Sequence, residues 1–269
     1  MSIGNFVSSK RAMLAIPIAL AAPSAFAQAF DAVRLFGAAP GQDAGRVGLA
    51  ALAGPTYAGS ENRRVRVLPG LDYQWANGWF AGFTNGVGYN FSDSPSVQFG
   101  LRLAADFGRK QRRDAALRGM GDIDPAATPG AFFNYMLPAG FLVTSSLRYG
   151  SGNDHDGAVL DFGAGYSLAL PRPWRLGAGV AATLTNAAYM QSHFGVTPTQ
   201  AAASGYAVYT PGAGARDMRA SLALSYSFDA RTSVTTALSA SRLLGDAKSS
   251  PLTRKANAAS GVVALGYAF

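Results

Sequence analysis

Cysteine is absent from this 269-residue chain, and histidine occurs only twice. Without thiols there can be no disulfide and no cysteine-ligated metal, and His155 and His193 are too few for a histidine-rich metal site. The chain also lacks any uninterrupted apolar run of the ~20 residues that a transmembrane helix requires. The sequence therefore excludes a helical membrane protein, and we predict neither a metal site nor a cofactor.

Charged residues are scarce, at 14%, although the formal net charge is +8. The arginines and lysines are spread singly along the chain, whereas nucleic-acid-binding proteins cluster them into a patch. We therefore expect no nucleic acid as a partner.

The amino terminus has the pattern of a secretory signal peptide. Lys10 and Arg11 precede the apolar stretch 12–22, which is followed by Pro23 and by the small-x-small sequence at 25–27. This pattern predicts that residues 1–27 are cleaved on export and that residues 28–269 form the mature protein, as a single domain.

The mature chain alternates between apolar and small or polar residues with the two-residue period of β-strands. In the last segment, Val263, Leu265, Tyr267 and Phe269 share one face, and glycine and alanine dominate the other. The same alternation is found in the segments 46–54, 64–75, 79–91, 97–107, 130–137, 141–150, 160–168, 174–184, 218–228, 231–243 and 257–269.

A soluble β-sandwich also alternates, but its outer face is usually rich in lysine, glutamate and threonine. Here the polar face carries mainly glycine, alanine, serine and threonine, and aromatic residues recur near the strand ends, as in membrane barrels. The terminal Phe269, with Tyr267 two residues earlier, resembles the signal that outer-membrane barrels present to the barrel-insertion machinery. We therefore predict an all-β fold, a transmembrane antiparallel up-and-down β-barrel surrounded by outer-membrane lipid.

Bacterial barrels have an even number of strands, and the eleven segments call for one more, expected at residues 30–37. We predict about twelve strands, with ten as the alternative. A periplasmic carboxyl terminus places the long connections 109–129, 151–156, 186–213 and 245–256 outside the cell. The same count places the Asn77-Gly78 turn outside and the connection 55–63 in the periplasm.

Arginines outnumber aspartates on the face that would line the lumen. The predicted lumen charges are Arg64, Arg66, Arg102, Arg148, Arg175, Arg219, Arg231, Asp72, Asp106, Asp161 and Asp229. If water passes, such a lumen would favour anions. The alternative is that arginine and aspartate pair across a filled interior and serve stability.

Catalytic residues are not expected, and the sequence predicts no enzyme. A hydrolase needs a nucleophile held against a histidine base, and the candidates are Asp154-His155-Asp156 and Ser192-His193. No serine is placed on a strand to meet His155, and neighbours such as Ser192 and His193 point to opposite faces of an extended chain.

Several loop blocks resemble, in the same order, those of the MltA-interacting protein and OmpV (MipA/OmpV) family. The residues concerned are Pro55, Tyr57, Gly59, Ser60, Gly119, Gly121, Asp122, Asp124, Phe194, Gly195, Val196, Thr197, Gly245, Asp246, Ser250 and Pro251. His193 departs from the pattern, because an aromatic residue is expected before the Phe-Gly-Val-Thr block.

The resemblance implies an outer-membrane scaffold that links a murein synthase to a lytic transglycosylase during peptidoglycan growth. Other members of the family are described as porin-like, which would make this a small channel with a mild anion preference, or as surface adhesins. Most of the family-like blocks map to the outside of the cell, whereas murein enzymes work in the periplasm. Either these loops fold into the lumen for structural reasons, or the partner surface is made of the short turns and the amino-terminal segment.

Overall fold

The computed structural model describes residues 41–83 and 85–269, so the predicted signal peptide and the predicted strand at 30–37 lie outside the described residues. The strands are β1 (Ala44–Pro55), β2 (Arg63–Gln74), β3 (Trp79–Gly82), β4 (Gly86–Asn90), β5 (Val97–Asp106), β6 (Ala126–Met136), β7 (Phe141–Ser151), β8 (Gly157–Ala169), β9 (Trp174–Thr185), β10 (Gly214–Ser227), β11 (Thr232–Leu243) and β12 (Asn257–Ala268). The helices are α1 (Ala187–Phe194), α2 (Pro198–Ser204) and α3 (Gly245–Ser249). Short 3₁₀ turns lie at Gln111–Arg113, Ala115–Leu117 and Pro138–Gly140.

The twelve strands form one closed barrel in which each strand pairs antiparallel with its neighbours in sequence, and β1 pairs with β12. The closing pair continues to the end of the chain, because Gly45 and Phe269 exchange two backbone hydrogen bonds of 2.9 and 3.0 Å. Closure leaves no edge unpaired among these twelve strands, which is the condition for a sheet in lipid. The predicted fold and the predicted strand number are both confirmed.

Strand periodicity sorts the side chains between the two faces of the wall. Apolar residues on the outer face are exposed, as at Leu101 (57%) and Leu238 (66%), while their small or polar neighbours face the lumen and are buried or half-buried. Aromatic rings contact one another near the short turns, with centroids 4.7 Å apart for Phe141 and Tyr166 and 4.8 Å apart for Trp174 and Tyr226. This arrangement matches the interfacial aromatic girdle of a membrane barrel.

The predicted strand at 79–91 is wrong, because the structure divides it into β3 and β4. The chain reverses between Gly82 and Gly86, so that Trp79 pairs with Tyr89. Gly86 has a φ of +76°, and a Cβ there would lie 2.2 Å from the carbonyl oxygen of Leu103. In both short strands the odd-numbered residues face outward, as they would in one continuous strand. The alternation of residues therefore did not indicate the reversal.

The extra hairpin reverses two predicted placements. The connections 56–62, 83–85, 107–125, 152–156, 186–213 and 244–256 share one end of the barrel, which we call the loop end. The turns at 75–78, 91–96, 137–140, 170–173 and 228–231 lie with the carboxyl terminus at the other, the turn end. The Asn77-Gly78 turn is therefore at the turn end and residues 55–63 are at the loop end, opposite to the prediction. Contact confirms the second placement, since the Tyr57 hydroxyl donates to the Leu252 carbonyl at 2.7 Å.

The helices are confined to the connections at the loop end. None of the helices in the described ranges is long and apolar enough to cross a membrane.

Candidate functional site

The connections at the loop end pack on one another as a compact unit, which we call the loop cap (56–62, 107–125, 152–156, 186–213 and 244–256). Its two longer helices have good amino-terminal caps, because the Asn186 side chain accepts from the Tyr189 amide and Thr197 forms a capping box with Gln200. Gly205 ends α2 in the left-handed conformation, with a φ of 79°.

Two apolar clusters hold the loop cap together. In the first, Met190 and Phe194 of α1 pack with Val159 of β8 and Leu243 of β11. In the second, Met120, Val196 and Leu252, from three different connections, pack together and are at most 3% exposed. Val159 and Leu243 are buried on the inward face of β8 and β11, so α1 packs against the inner side of the barrel wall at the loop end.

Several of the family-like loop residues make contacts between connections. The Ser250 hydroxyl donates to the Phe194 carbonyl at 2.6 Å, and Asp246 accepts from the Gly212 amide at 2.7 Å. At Gly119, an added Cβ would lie 2.8 Å from the backbone of Ala203. On the surface, Asp122 and Asp124 pair with Lys110 at 3.2 and 2.5 Å. Packing within the loop cap thus accounts for Ser250, Asp246 and Gly119 of these blocks.

A buried carboxylate, Asp114, ties two connections together. Its oxygens accept hydrogen bonds from Thr56 at 2.5 Å, Ser60 at 2.7 Å and the Ala116 amide at 3.1 Å. Burial opposes ionisation, but these hydrogen bonds outweigh it and lower the pKa of Asp114. Asp114 was not singled out from the sequence, where only its position in a long polar connection was visible.

His193 lies on α1 with its ring stacked on Tyr189, the centroids being 4.0 Å apart. Burial and, to a smaller extent, the positive charge of Arg109 together lower the pKa of His193 to about 4, although Asp106 opposes them. The Arg109 guanidinium donates to the His193 carbonyl at 2.7 Å. Burial also lowers the pKa of Arg109 itself, to about 10. This histidine is a neutral packing residue of the loop cap.

The lumen wall carries nine of the eleven predicted lumen charges, as Arg64, Arg66, Asp72, Arg102, Asp106, Arg148, Asp161, Arg175 and Arg219 are buried or half-buried on the inward face. The other two, Asp229 and Arg231, lie in the exposed turn between β10 and β11, because these strands end at Ser227 and begin at Thr232. Asp229 accepts from the amides of Arg231 and Thr232, both at 2.7 Å, and shapes this turn.

An ion-pair network crosses the lumen wall from β7 to β10. Asp161 lies 3.4 Å from both Arg148 and Arg219, and Asp217 lies 3.1 Å from Arg219 and 2.5 Å from Arg216. Sequence reading missed Asp217 because that strand was started at Met218, although Asp217 has the parity of Arg219. It also missed Arg46 on β1, whose guanidinium lies 3.4 Å from the Ser233 hydroxyl.

Among the described residues, large side chains meet on one side of the interior, the filled side, and a cavity lies on the other, the hollow side. On the filled side, the rings of Phe80 and Phe132 meet edge to face at 5.8 Å, and Arg102 donates to Ser146 at 2.7 Å. Opposite them, a cavity of about 370 Å³ lies between β10, β11, β12, β1 and β2, beneath the connection that follows β1. In the described ranges, no group of three or more histidine, cysteine, aspartate or glutamate side chains is placed to hold a metal ion.

Comparison with known families decides the relationship of this chain. The family described as MltA-interacting protein MipA matches residues 47–269, which include almost the whole barrel. The chain belongs to the MipA family. The resemblance carried by the loop blocks is confirmed, and the protein is an outer-membrane β-barrel, located in the bacterial outer membrane.

The solved structures similar to this chain include several bacterial outer-membrane proteins. The NanC porin has 10% identity and a TM-score of 0.46 over 81% of this chain and 98% of its own. The KdgM porin has 9% identity and a TM-score of 0.45 over 83% and 99%, and the DcaP channel of Acinetobacter baumannii has 8% and 0.43 over 85% and 96%. No curated protein sequence matches the chain. These likenesses are too distant to carry a functional argument.

Proposed function

We propose that this protein is a non-catalytic scaffold that holds a lytic transglycosylase, together with a murein synthase, at the periplasmic face of the outer membrane. The observation that carries the proposal is the match of residues 47–269 to a family described as MltA-interacting. MltA is a lytic transglycosylase, and peptidoglycan lies on the periplasmic side. The partner surface should therefore be at the turn end, with the carboxyl terminus.

The structure of the loop cap supports a partner surface at the turn end, because it gives the family-like blocks a role other than partner binding. The most recognisable blocks are at the loop end, which the proposal places on the side of the membrane away from peptidoglycan. A periplasmic enzyme could not reach them there. Buried contacts such as those of Phe194 and Val196, each at most 1% exposed, give these blocks a structural role. The exposed turns are then left as the surface that a periplasmic enzyme can reach.

Charge reversal at the turn end tests the proposal. Asp93 and Arg172 are exposed in two different turns, and we expect D93R/R172E to reduce capture of the transglycosylase from solubilised envelope at least tenfold. The matched control, D154R/R112E, also reverses one exposed acid and one exposed base, both in the loop cap, and should leave capture unchanged. Heat-modifiable electrophoretic mobility checks that both variants are folded barrels. Equal capture by the two variants, or loss in the control alone, would contradict the proposal.

A second candidate function, an anion-preferring channel, is favoured by the lumen charge. Among the described residues, no carboxylate pairs with Arg64 or Arg66 on the wall of β2. Because α1 packs on inward-facing residues at the loop end, conduction should increase when residues 187–194 are replaced by a glycine-serine linker, with anions carrying most of the current in planar-bilayer recordings. Cation selectivity would contradict the anion preference, and the absence of current in both forms would exclude a channel.

A further inference from the structure

The hollow side of the lumen has the size and enclosure of a small-molecule site. Its volume of about 370 Å³ falls at the lower end of the range of roughly 300–1,000 Å³ that is usual for ligand pockets. The wall is built from inward-facing positions of β10, β11, β12, β1 and β2, and residues 55–59 form its roof. A monosaccharide-sized solute fits this volume.

The lining has an excess of positive charge. Arg66, Arg216, Arg219 and Lys255 line the cavity, and Asp217 is the acidic group among its lining residues. Asp217 is already shared between Arg216 and Arg219. In the part of the chain that the structure describes, Arg66 and Lys255 pair with no carboxylate, so their charges are available to an anion.

Hydroxyl groups line the same cavity, contributed by Ser221, Ser239, Ser241 and Ser260. Ser221 is 6% exposed, and its Oγ has no hydrogen-bond partner in the described structure. The Nε atom of Arg66 is likewise buried without a partner. The Nε atoms of several other lumen arginines share this state, so the Ser221 hydroxyl is the more specific observation. Buried polar atoms are almost always hydrogen-bonded, and an unpaired buried hydroxyl on the wall of a cavity points to a polar ligand.

The roof is held in place by backbone contacts. The amides of Arg254 and Lys255 both donate to the Gly59 carbonyl, at 2.8 and 3.0 Å, and the Tyr57 hydroxyl is bound to Leu252. The strands fix the walls in the same way. The cavity is therefore preorganised, which reduces the entropic cost of binding.

We propose that this cavity binds a small hydroxylated solute that carries one oxyanionic group, either a carboxylate or a phosphate. The oxyanion lies against the Arg66 guanidinium, whose planar donors match the geometry of both groups. The hydroxyl groups of the solute bond to the seryl side chains, Ser221 first among them. The site is independent of the scaffold proposal, and it requires no conduction through the barrel.

Isothermal titration of the full, detergent-solubilised barrel at fixed ionic strength tests the site. Gluconate supplies the carboxylate, glucose 6-phosphate supplies the phosphate, and glucitol is the neutral analogue. We expect at least one of the two acidic probes to bind and glucitol not to bind. Binding of glucitol as tight as that of the acidic probes, or binding of none of the three at millimolar concentration, would overturn the proposal.

Substitutions of lumen-facing residues test whether the solute binds in this cavity. Losing a charge-assisted contact typically costs tenfold or more in affinity, so R66Q should weaken binding of the acidic probe at least tenfold, and S221A severalfold. The matched control is R175Q, since Arg175 is also a lumen-facing arginine but does not line the cavity. Thermal unfolding and heat-modifiable mobility verify that each variant is folded. Equal affinities of R66Q and R175Q would place the anion elsewhere and overturn the assignment.

Discussion

At the scale of single residues, the loop cap depends on polar groups that are buried with their partners. Asp114 keeps its charge because Thr56, Ser60 and the Ala116 amide donate to it. His193 is in the opposite position, since burial and Arg109 disfavour its charged form. Asp114 is thus held in its charged form and His193 in its neutral form. Because the pKa of Asp114 is lowered, the loop cap should respond to mild acid mainly through His193.

The stability of the loop cap should fall as the pH falls from about 6.5 towards 4. The folded pKa of His193, about 4, is below its ordinary value of 6.5, so the unfolded chain binds the proton first and acid favours opening. The charged groups around the ring, Arg109, Arg216 and Asp106, do not reverse this direction. Hydrogen exchange of the α1 amides at pH 7 and pH 5, corrected for intrinsic rates, measures the effect.

The variant H193F isolates the histidine. A phenyl ring keeps the stack on Tyr189 and is the aromatic residue that the family pattern leads one to expect at this position, but it does not titrate. We expect the difference in α1 opening between pH 7 and pH 5 to disappear in H193F. An unchanged pH response in this variant would assign the acid sensitivity to another group.

At the scale of elements, β12 closes the barrel and ends on Phe269. The Phe269 ring covers Gly45, where an added Cβ would lie 2.4 Å from the ring, and it is 6.2 Å from the ring of Tyr73. The terminal residue thus contacts both β1 and β2. Its predicted role as a barrel-insertion signal remains a prediction.

We expect F269A to reduce the fraction of folded barrel in the outer membrane severalfold, because it removes the terminal aromatic side chain and its contacts across the closing strands. The control is F228A, which removes a similarly exposed aromatic at the end of β10, the exposed fractions being 57% and 60%. Heat-modifiable mobility of membrane fractions measures assembly. If both variants assemble equally well, the terminal aromatic has no special part in insertion.

At the scale of the whole molecule, the barrel has two dissimilar ends. The loop end is covered by packed connections, while the turn end carries short turns and an aromatic girdle. The corrected hairpin count places residues 55–63 with the loop cap and the Asn77-Gly78 turn at the opposite end. These placements decide which surface a periplasmic partner can reach.

Cysteine labelling tests this orientation directly, since the native chain has no cysteine. Ala58 and Ala202 are exposed at the loop end, and Asn77 and Ala230 are exposed at the turn end. In intact cells, a membrane-impermeant maleimide should label A58C and A202C, but should label N77C and A230C only after the outer membrane is permeabilised. The reverse pattern would place the loop cap in the periplasm and remove the basis for a turn-end partner surface.

The sequence by itself determined the fold class, the direction in which most strand side chains point and the family. This was possible because a period of two residues is local and sorts lipid-facing from lumen-facing positions in every strand. The closing strand could be recognised for the same reason, since its aromatic face and terminal Phe269 are adjacent in the chain.

Only the tertiary structure decided where the chain reverses within 79–91, how the connections pack and which side of the lumen is hollow. The reversal preserves the alternation from which strands are predicted, so the sequence pattern did not indicate it. The loop cap depends on pairs far apart in the chain, such as Thr56 with Asp114 and Tyr57 with Leu252. The cavity lies away from the side of the barrel where the rings of Phe80 and Phe132 meet. Which inward-facing residues meet across the lumen depends on the closure of the barrel, and no local pattern records it.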